Sequence, residues 1–261
     1  MTTRSALLGV WVDTATIADL NGRITEAVET GSRKVIGHHN LHSVYLYHRD
    51  PKFRAFYGRA DCTHVDGMSL ILAGWCLGLP LRRRHRVTYV DWLSPLVQMA
   101  AQNQWRIFYL GSREGVADRG AAVLRERFPG IQIATAHGYF DSRPHSAENL
   151  AVLEEINRFQ PNILFVGMGM PRQEYWVLDN LEQLRVNAIL TSGAAIDYVA
   201  GEIPTPPRWA GQWTLEWVFR LKAEPRRLWR RYLFEPWFVL GLFLQEWSSR
   251  VAQSVRRNHG A

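Results

Sequence analysis

Up to Thr191 the chain alternates short apolar runs with longer segments whose apolar residues recur at helical spacing. The runs that read as strands are Ala6–Val10, Lys34–His38, Cys62–Val65, Arg106–Leu110, Ile131–Ala136, Asn162–Val166 and Ala188–Thr191. Between them, the periodicity predicts helices over Thr14–Glu29, Ser43–Tyr57, Met68–Leu77, Asp91–Gln102, Gly115–Phe128, Ser146–Phe159 and Arg172–Leu184. Strand–helix–strand at this spacing pairs strands in parallel through crossover helices. The expected fold is therefore α/β: a doubly wound, mostly parallel, Rossmann-like sheet. In such sheets ligands bind where strands hand over to loops at their carboxyl ends.

The pattern changes after Thr205-Pro206-Pro207, where strand-like runs stop. Gln212–Ala223, Pro225–Leu233 and Trp237–Ser254 look helical, with Pro225 and Pro236 each suited to a first helical turn. We expect a body over residues 1–205 and a helical appendage over 206–261. From Pro206 onward ten Lys/Arg face four Asp/Glu, so this quarter carries +6 of the formal +7 charge, and it holds six of the eleven tryptophans. Arginine together with interfacial tryptophan suits a segment lying on anionic lipid. The apolar run Trp237–Leu244 is flanked by Glu235 and Glu246 and is too short to span a bilayer. The N-terminal run lacks the features of a signal peptide. The expected location is thus cytoplasmic, peripheral on the inner face of the plasma membrane. Cys62 and Cys76 show neither CxxC spacing nor neighbouring histidines at ligand spacing and are expected as buried reduced thiols.

Four strand-to-loop transitions carry polar or glycine-rich chemistry. His38-His39-Asn40 ends one strand, and alternation along a strand sends neighbouring side chains to opposite faces, favouring one polar group in a cleft over a metal site. His64-Val65-Asp66-Gly67 places a carboxylate at a strand end beside a turn glycine. Gly111-Ser112, leading to Gly115 and a helix, would offer backbone N–H groups to a phosphate. Gly167-Met168-Gly169-Met170-Pro171-Arg172-Gln173-Glu174 offers two glycines, a proline and polar residues in the first helical turn, a loop able to approach a nucleotide closely.

With these motifs in order, the chain resembles the WecG/TagA/CpsF glycosyltransferases (glycosyltransferase family 26) over roughly residues 5–235. The resemblance rests on Asn40 with Arg49-Asp50-Pro51, Ala60-Asp61 through Asp66-Gly67, Arg86-Val87 with Asp91, Phe108–Gly111, Gly167–Glu174, Ser192–Asp197 with Ala200-Gly201, and the tail's Leu215-Glu216-Trp217, Arg220-Leu221 and Glu224–Leu228. It implies an inverting, metal-independent enzyme without cofactor. Such an enzyme moves a hexose-type sugar from a UDP-sugar to a polyprenyl-diphosphate-linked sugar in cell-surface or exopolysaccharide synthesis. The resemblance makes Asp66 the general base, with Arg86 and Asp91 beside it, Asp91 being the next candidate. His38, Asn40, Gly111, Gly167, Gly169, Pro171, Gln173 and Glu174 are then substrate-binding positions, with Gln173 reading uracil or ribose. Arg220, Arg227 and Arg230 would surround the diphosphates, and Arg226 and Arg231 would meet lipid headgroups. No Asp-x-Asp pair stands ready for a divalent cation, and arginine is the available substitute for stabilising the leaving diphosphate.

This chain departs from the family where His38 replaces a frequent Thr, Tyr89 replaces a frequent Gly, and Thr205-Pro206-Pro207-Arg208 replaces Arg-Ala-Pro. These changes leave the particular sugars open, as the sequence leaves a homo-oligomer open. An NAD-dependent oxidoreductase is the competing class, but neither glycine loop is followed by the acidic strand-end residue that ribose recognition requires. A nucleic-acid-binding module is disfavoured because no such motif is recognisable.

Overall fold

The structure, a computed structural model, describes residues 2–206 and 216–259, except the side chains of Glu216, Ala223, Arg227 and residues 253–259. The predicted first strand is instead a hairpin. Strands β1 (Arg4–Leu7) and β2 (Val10–Asp13) pair antiparallel in a sheet of their own. Leu8 (φ 53°) and Gly9 (φ 76°) form its turn, both in the left-handed region that a two-residue hairpin requires. The remaining strands are β3 (Lys34–His39), β4 (Cys62–Val65), β5 (Arg106–Gly111), β6 (Gln132–Ala136), β7 (Ile163–Gly167) and β8 (Ala188–Thr191). They form one all-parallel sheet in the order β4-β3-β8-β7-β5-β6.

Helices flank the sheet: α1 (Ile17–Thr30), α2 (Leu41–Arg49), α3 (Pro51–Arg59), α4 (Met68–Cys76), α5 (Tyr89–Gln102), α6 (Val116–Arg127), α7 (Ala147–Phe159), α8 (Arg172–Asn180) and the short α9 (Ala195–Val199). The single helix expected over Ser43–Tyr57 is broken at Asp50-Pro51. Pro51 cannot donate to a continuing helix and Asp50 caps the next one through Phe53 N (3.0 Å). Two apolar layers cover the sheet. One packs Trp92, Leu96, Ala121 and Ile196 on one face, and the other packs Phe53, Phe56, Trp176 and Val177 on the opposite face. Cys62 is buried as expected, but Cys76 is exposed, because the end of α4 turns outward with Leu72 and Trp75.

Connections from β5 and β7 leave in opposite directions, outward to β6 and inward to β8, so a switch point lies between them. There Gly111 and Gly167 are register partners, and a Cβ on Gly111 would collide with the Gly167 carbonyl.

Beyond residue 215 the chain forms α10 (Glu216–Ala223), α11 (Pro225–Leu233) and α12 (Glu235–His259). Gln212 to Leu215 of the first expected tail helix, and Trp209 and Trp213 with them, fall outside the described residues. Helix α12 lies against the body on one face. Val239, 4% exposed, enters a third apolar cluster with Leu7, Leu8, Val44 and Leu70. Polar ties reinforce the contact: His42 Nδ1 to Glu235 (2.8 Å), the Leu8 N–H to Glu246 (2.7 Å) and Arg250 Nη1 to the Leu77 carbonyl (3.1 Å).

Candidate active site

The carboxyl ends of β3 and β4 bring together Asp66, His38, Asn40, Arg86 and Asp91, with Arg220 of the appendage within electrostatic reach of Asp66. Asp66 follows β4 and is held by its N–H, which donates to the His39 carbonyl (2.8 Å). Asn40 starts α2 in a reciprocal cap: its Oδ1 accepts from Ser43 N (3.1 Å) while Ser43 Oγ accepts from Asn40 N (2.8 Å). That cap sets Asn40 beside Gly67, whose φ of 145° lets the chain turn away from Asp66. Val65 bridges to Arg86, and Val87 N donates to Val65 O (2.9 Å), so the Arg86 segment runs alongside the end of β4. Arg86 Nη1 lies 3.7 Å from Asp91 Oδ2, which also accepts from Thr88 Oγ1 (3.1 Å). Asp91 thus has a cation and a hydroxyl of its own, whereas the less exposed Asp66 has His38 beside it.

His38 is buried next to Asp66, with Nε2 3.8 Å from Asp66 Oδ2. Burial is the largest cause holding its pKa below the usual imidazole value; Asp66 pulls the other way, and Arg231 and Arg220 add to the depression. His64 stacks on it at 5.6 Å and is held neutral by burial and by His38. Arg220 lies over Tyr198 (5.6 Å); burial works against its charge, but Tyr198, Tyr232 and Asp66 outweigh that and keep it protonated. Arg231 is half-buried over Tyr232 (5.8 Å), and its charge adds to the effects that hold the His38 ring neutral. Arg230 is exposed over Trp229 (5.2 Å). The reason is helix phase: Leu228 is buried, and Arg231, three residues on, shares its inward face. The Arg227 side chain lies outside the described residues. Arg226 is exposed.

The Gly167–Glu174 loop is built differently from the expectation. Gln173 is fully buried: its Oε1 accepts from Gly169 N (3.2 Å) and Gly193 N (3.0 Å), and its Nε2 donates to Glu174 Oε1 (2.7 Å). Its amide is spent tying the β7 loop to the β8 loop, so it is not placed to read uracil or ribose. Glu174 is equally buried, with Oε2 unpaired, and burial raises its pKa to about 7. Pro171 precedes α8, and Gly169 (φ 80°) has open space where a side chain would stand. Gly167, by contrast, faces the Tyr109 hydroxyl, so Gly167 and Gly111 serve close strand packing. The loop after Gly111 opens onto a cavity lined by Glu114, Asp118, Glu148 and Glu155, an acidic rim that repels a diphosphate. Among the described residues no group of His, Cys, Asp or Glu is arranged to hold a metal ion. None of their helices is long and apolar enough to cross a membrane. The sequence reading assigns Arg231 to lipid headgroups; its i, i+3 relation to the buried Leu228 is the signal that it turns inward.

A carboxylate just past a strand end of a doubly wound parallel sheet, with a tail arginine in electrostatic reach, suits an α/β group-transfer enzyme. The chain belongs to the WecG/TagA/CpsF family of glycosyl transferases, whose family model matches residues 5–253. It is 26% identical over 203 residues to the N-acetylglucosaminyldiphosphoundecaprenol N-acetyl-β-D-mannosaminyltransferases of Staphylococcus aureus strains NCTC 8325, COL and MRSA252. That match covers 78% of this chain and 74% of each relative.

Proposed function

We propose that this glycosyltransferase moves a hexose-type sugar, such as N-acetylmannosamine, its uronic acid or a glucose-like sugar, from a UDP-sugar to a polyprenyl-diphosphate-linked sugar. It would do so with inversion and without a metal. The observation that carries the reading is Asp66, just past the end of β4 with His38 at 3.8 Å, lying within electrostatic reach of Arg220 from the appendage. Asp66 takes the proton of the acceptor hydroxyl as that oxygen attacks the anomeric carbon from the face opposite the leaving UDP. Arg220 and Arg231, brought in by the tail, stabilise the charge that develops on the diphosphates. The open backbone at Gly169 and the start of α8 at Pro171–Arg172 receive the nucleotide, with Gln173 holding that loop in shape. The S. aureus relatives are named for a polyprenyl-linked acceptor carrying N-acetylglucosamine, which supports an acceptor of this kind.

The acceptor's lipid lies in a membrane, and the outer face of α12 suits the same surface. Trp237 (73% exposed), Leu240, Leu244, Trp247 and Val251 recur at steps of three and four and form one unpartnered stripe. Phe238, Leu242 and Phe243, expected at the lipid, instead pack on the body. The stripe inserts at the headgroup boundary while basic residues add about 1 kcal/mol each near an anionic surface. Screening purified protein with several UDP-sugars for UDP release, using a short-chain polyprenyl-diphosphate-N-acetylglucosamine acceptor, tests the reaction. Release that requires the acceptor supports it, and no release with any UDP-sugar refutes it.

A further inference from the structure

We propose that His38 is a proton store behind Asp66, a positioning residue that relieves the general base of the proton it takes from the acceptor. The inference rests on Asp66 as that base. His38 ends β3, between β4 and β8, and is flanked on both sides by groups able to accept its protons. Nε2 lies 3.8 Å from Asp66 Oδ2, and Nδ1 lies 3.4 Å from Thr191 Oγ1. The Asp66 contact is at ion-pair rather than hydrogen-bond distance, and catalytic contacts of this kind tighten when substrate binds. The Thr191 backbone also accepts from the ring and favours its protonated form. An imidazolium here would have an acceptor for each N–H.

The surroundings make that cation transient. His38 is almost fully buried, which favours the neutral ring at rest. The neutral rings of His64 and His39, the Tyr89 ring at 6.0 Å and the charges of Arg220 and Arg231 face it from β4, β3, α5 and the tail. Asp66 and the Thr191 backbone are the groups that favour a proton on it. An imidazole is ordinarily the stronger base than a carboxylate by roughly 2 pKa units. Burial and the two arginines keep the cation short-lived, so a proton passed to His38 can leave again.

The step balances. The acceptor O–H breaks, its proton going to Asp66, while the oxygen's electron pair forms the new bond to the anomeric carbon. The bond from that carbon to the diphosphate breaks, and its pair leaves with UDP. The proton then moves from Asp66 to His38 Nε2, restoring the carboxylate, and returns to solvent once products leave.

The test is the pH dependence of kcat with UDP-N-acetylmannosamine and short-chain polyprenyl-diphosphate-N-acetylglucosamine. Wild type is compared with His38→Gln, which keeps a donor but cannot hold a proton, and His38→Thr. Both variants should turn over on the order of 10- to 100-fold more slowly. Their acid limb should move from just below the imidazole range into the carboxylate range. Variants whose profiles keep the wild-type shape would overturn the proposal, as would full activity in His38→Gln. Should either variant fail to fold, a proton inventory on wild type in H2O–D2O mixtures decides. A linear dependence is expected for one proton moving at a time, and a solvent isotope effect on kcat that is absent altogether overturns the store. Asp66→Asn separates the two claims: normal turnover removes the base, whereas a dead Asp66→Asn with unshifted His38 variants removes only the store.

Discussion

At the scale of single residues, the two carboxylates of the site region differ in environment and should differ in what their loss does. Asp66 stands just past β4 with His38 at 3.8 Å, and Asp66→Asn should lower kcat by on the order of 10²–10⁴ while UDP affinity, measured by calorimetry, stays near wild type. Near-normal turnover would pass the role to Asp91, although that residue is already engaged by Arg86 and Thr88. Glu174 acts on stability instead. Its pKa is about 7 when folded against an ordinary 4.5, so the native state holds a proton that the unfolded chain gives up first. Stability from this group is full below about 4.5 and is lost as pH rises through about 7, by about 3 kcal/mol in all. Glu174→Gln should flatten that slope and raise the melting temperature at pH 8; melts between pH 5 and 8 would read it. Nothing local in the sequence announces this burial, because a glutamate in a first helical turn reads equally well as an exposed helix start.

Elements show where local pattern suffices and where it does not. The sheet strands from Lys34 onward were legible because each is a compact apolar run closed by turn residues, and their observed bounds differ from the reading by little. Ala6–Val10 failed because Leu8 interrupts an apolar run with a turn conformation unusual for leucine. The conformation is held by distant partners: the Leu8 carbonyl meets His48 Nε2 (2.8 Å), and its N–H meets Glu246. The β7–α8 loop failed in a similar way, since Gln173 turns inward toward Gly193 rather than out to a ligand. Gln173→Ala should therefore destabilise the protein by about 1–3 kcal/mol in denaturant titration by leaving two buried N–H groups unpaired, with UDP binding weakened as a consequence. In the tail, helix phase separates neighbouring arginines. Arg231→Ala should cost on the order of tenfold or more in turnover with lipid acceptor, whereas Arg230→Ala should leave it nearly unchanged. Equal effects would mean that the phase set by Leu228 does not govern the site.

For the whole molecule, the charge and tryptophan of the last quarter were plain in composition, but which face they occupy was not. The inward face of α12 is chosen by Val239, Glu246 and Arg250, and only the complementary stripe stays outside. Replacing Leu240, Leu244 and Trp247 together by Gln should abolish sedimentation with anionic vesicles at low salt. Being exposed, the three should leave stability within about 0.5 kcal/mol per site. Loss of sedimentation with an unchanged melt is the expected result. Retained sedimentation would refute membrane docking through this stripe, and a change in oligomeric state would assign the stripe to a second copy.

The bond from the Leu8 N–H to Glu246 joins residues 238 positions apart. A ribosome adding about 5–20 residues each second makes the first of them roughly 10 to 50 seconds before the second. Through that interval the hairpin turn lacks its acceptor, and the apolar surface of Leu7, Leu8 and Val44 lacks Val239. A nascent chain halted before α12 should therefore carry a sticky, protease-sensitive amino terminus that becomes resistant only when the last helix arrives. The part of the protein made last would then decide when the part made first is safe from chaperones and proteases.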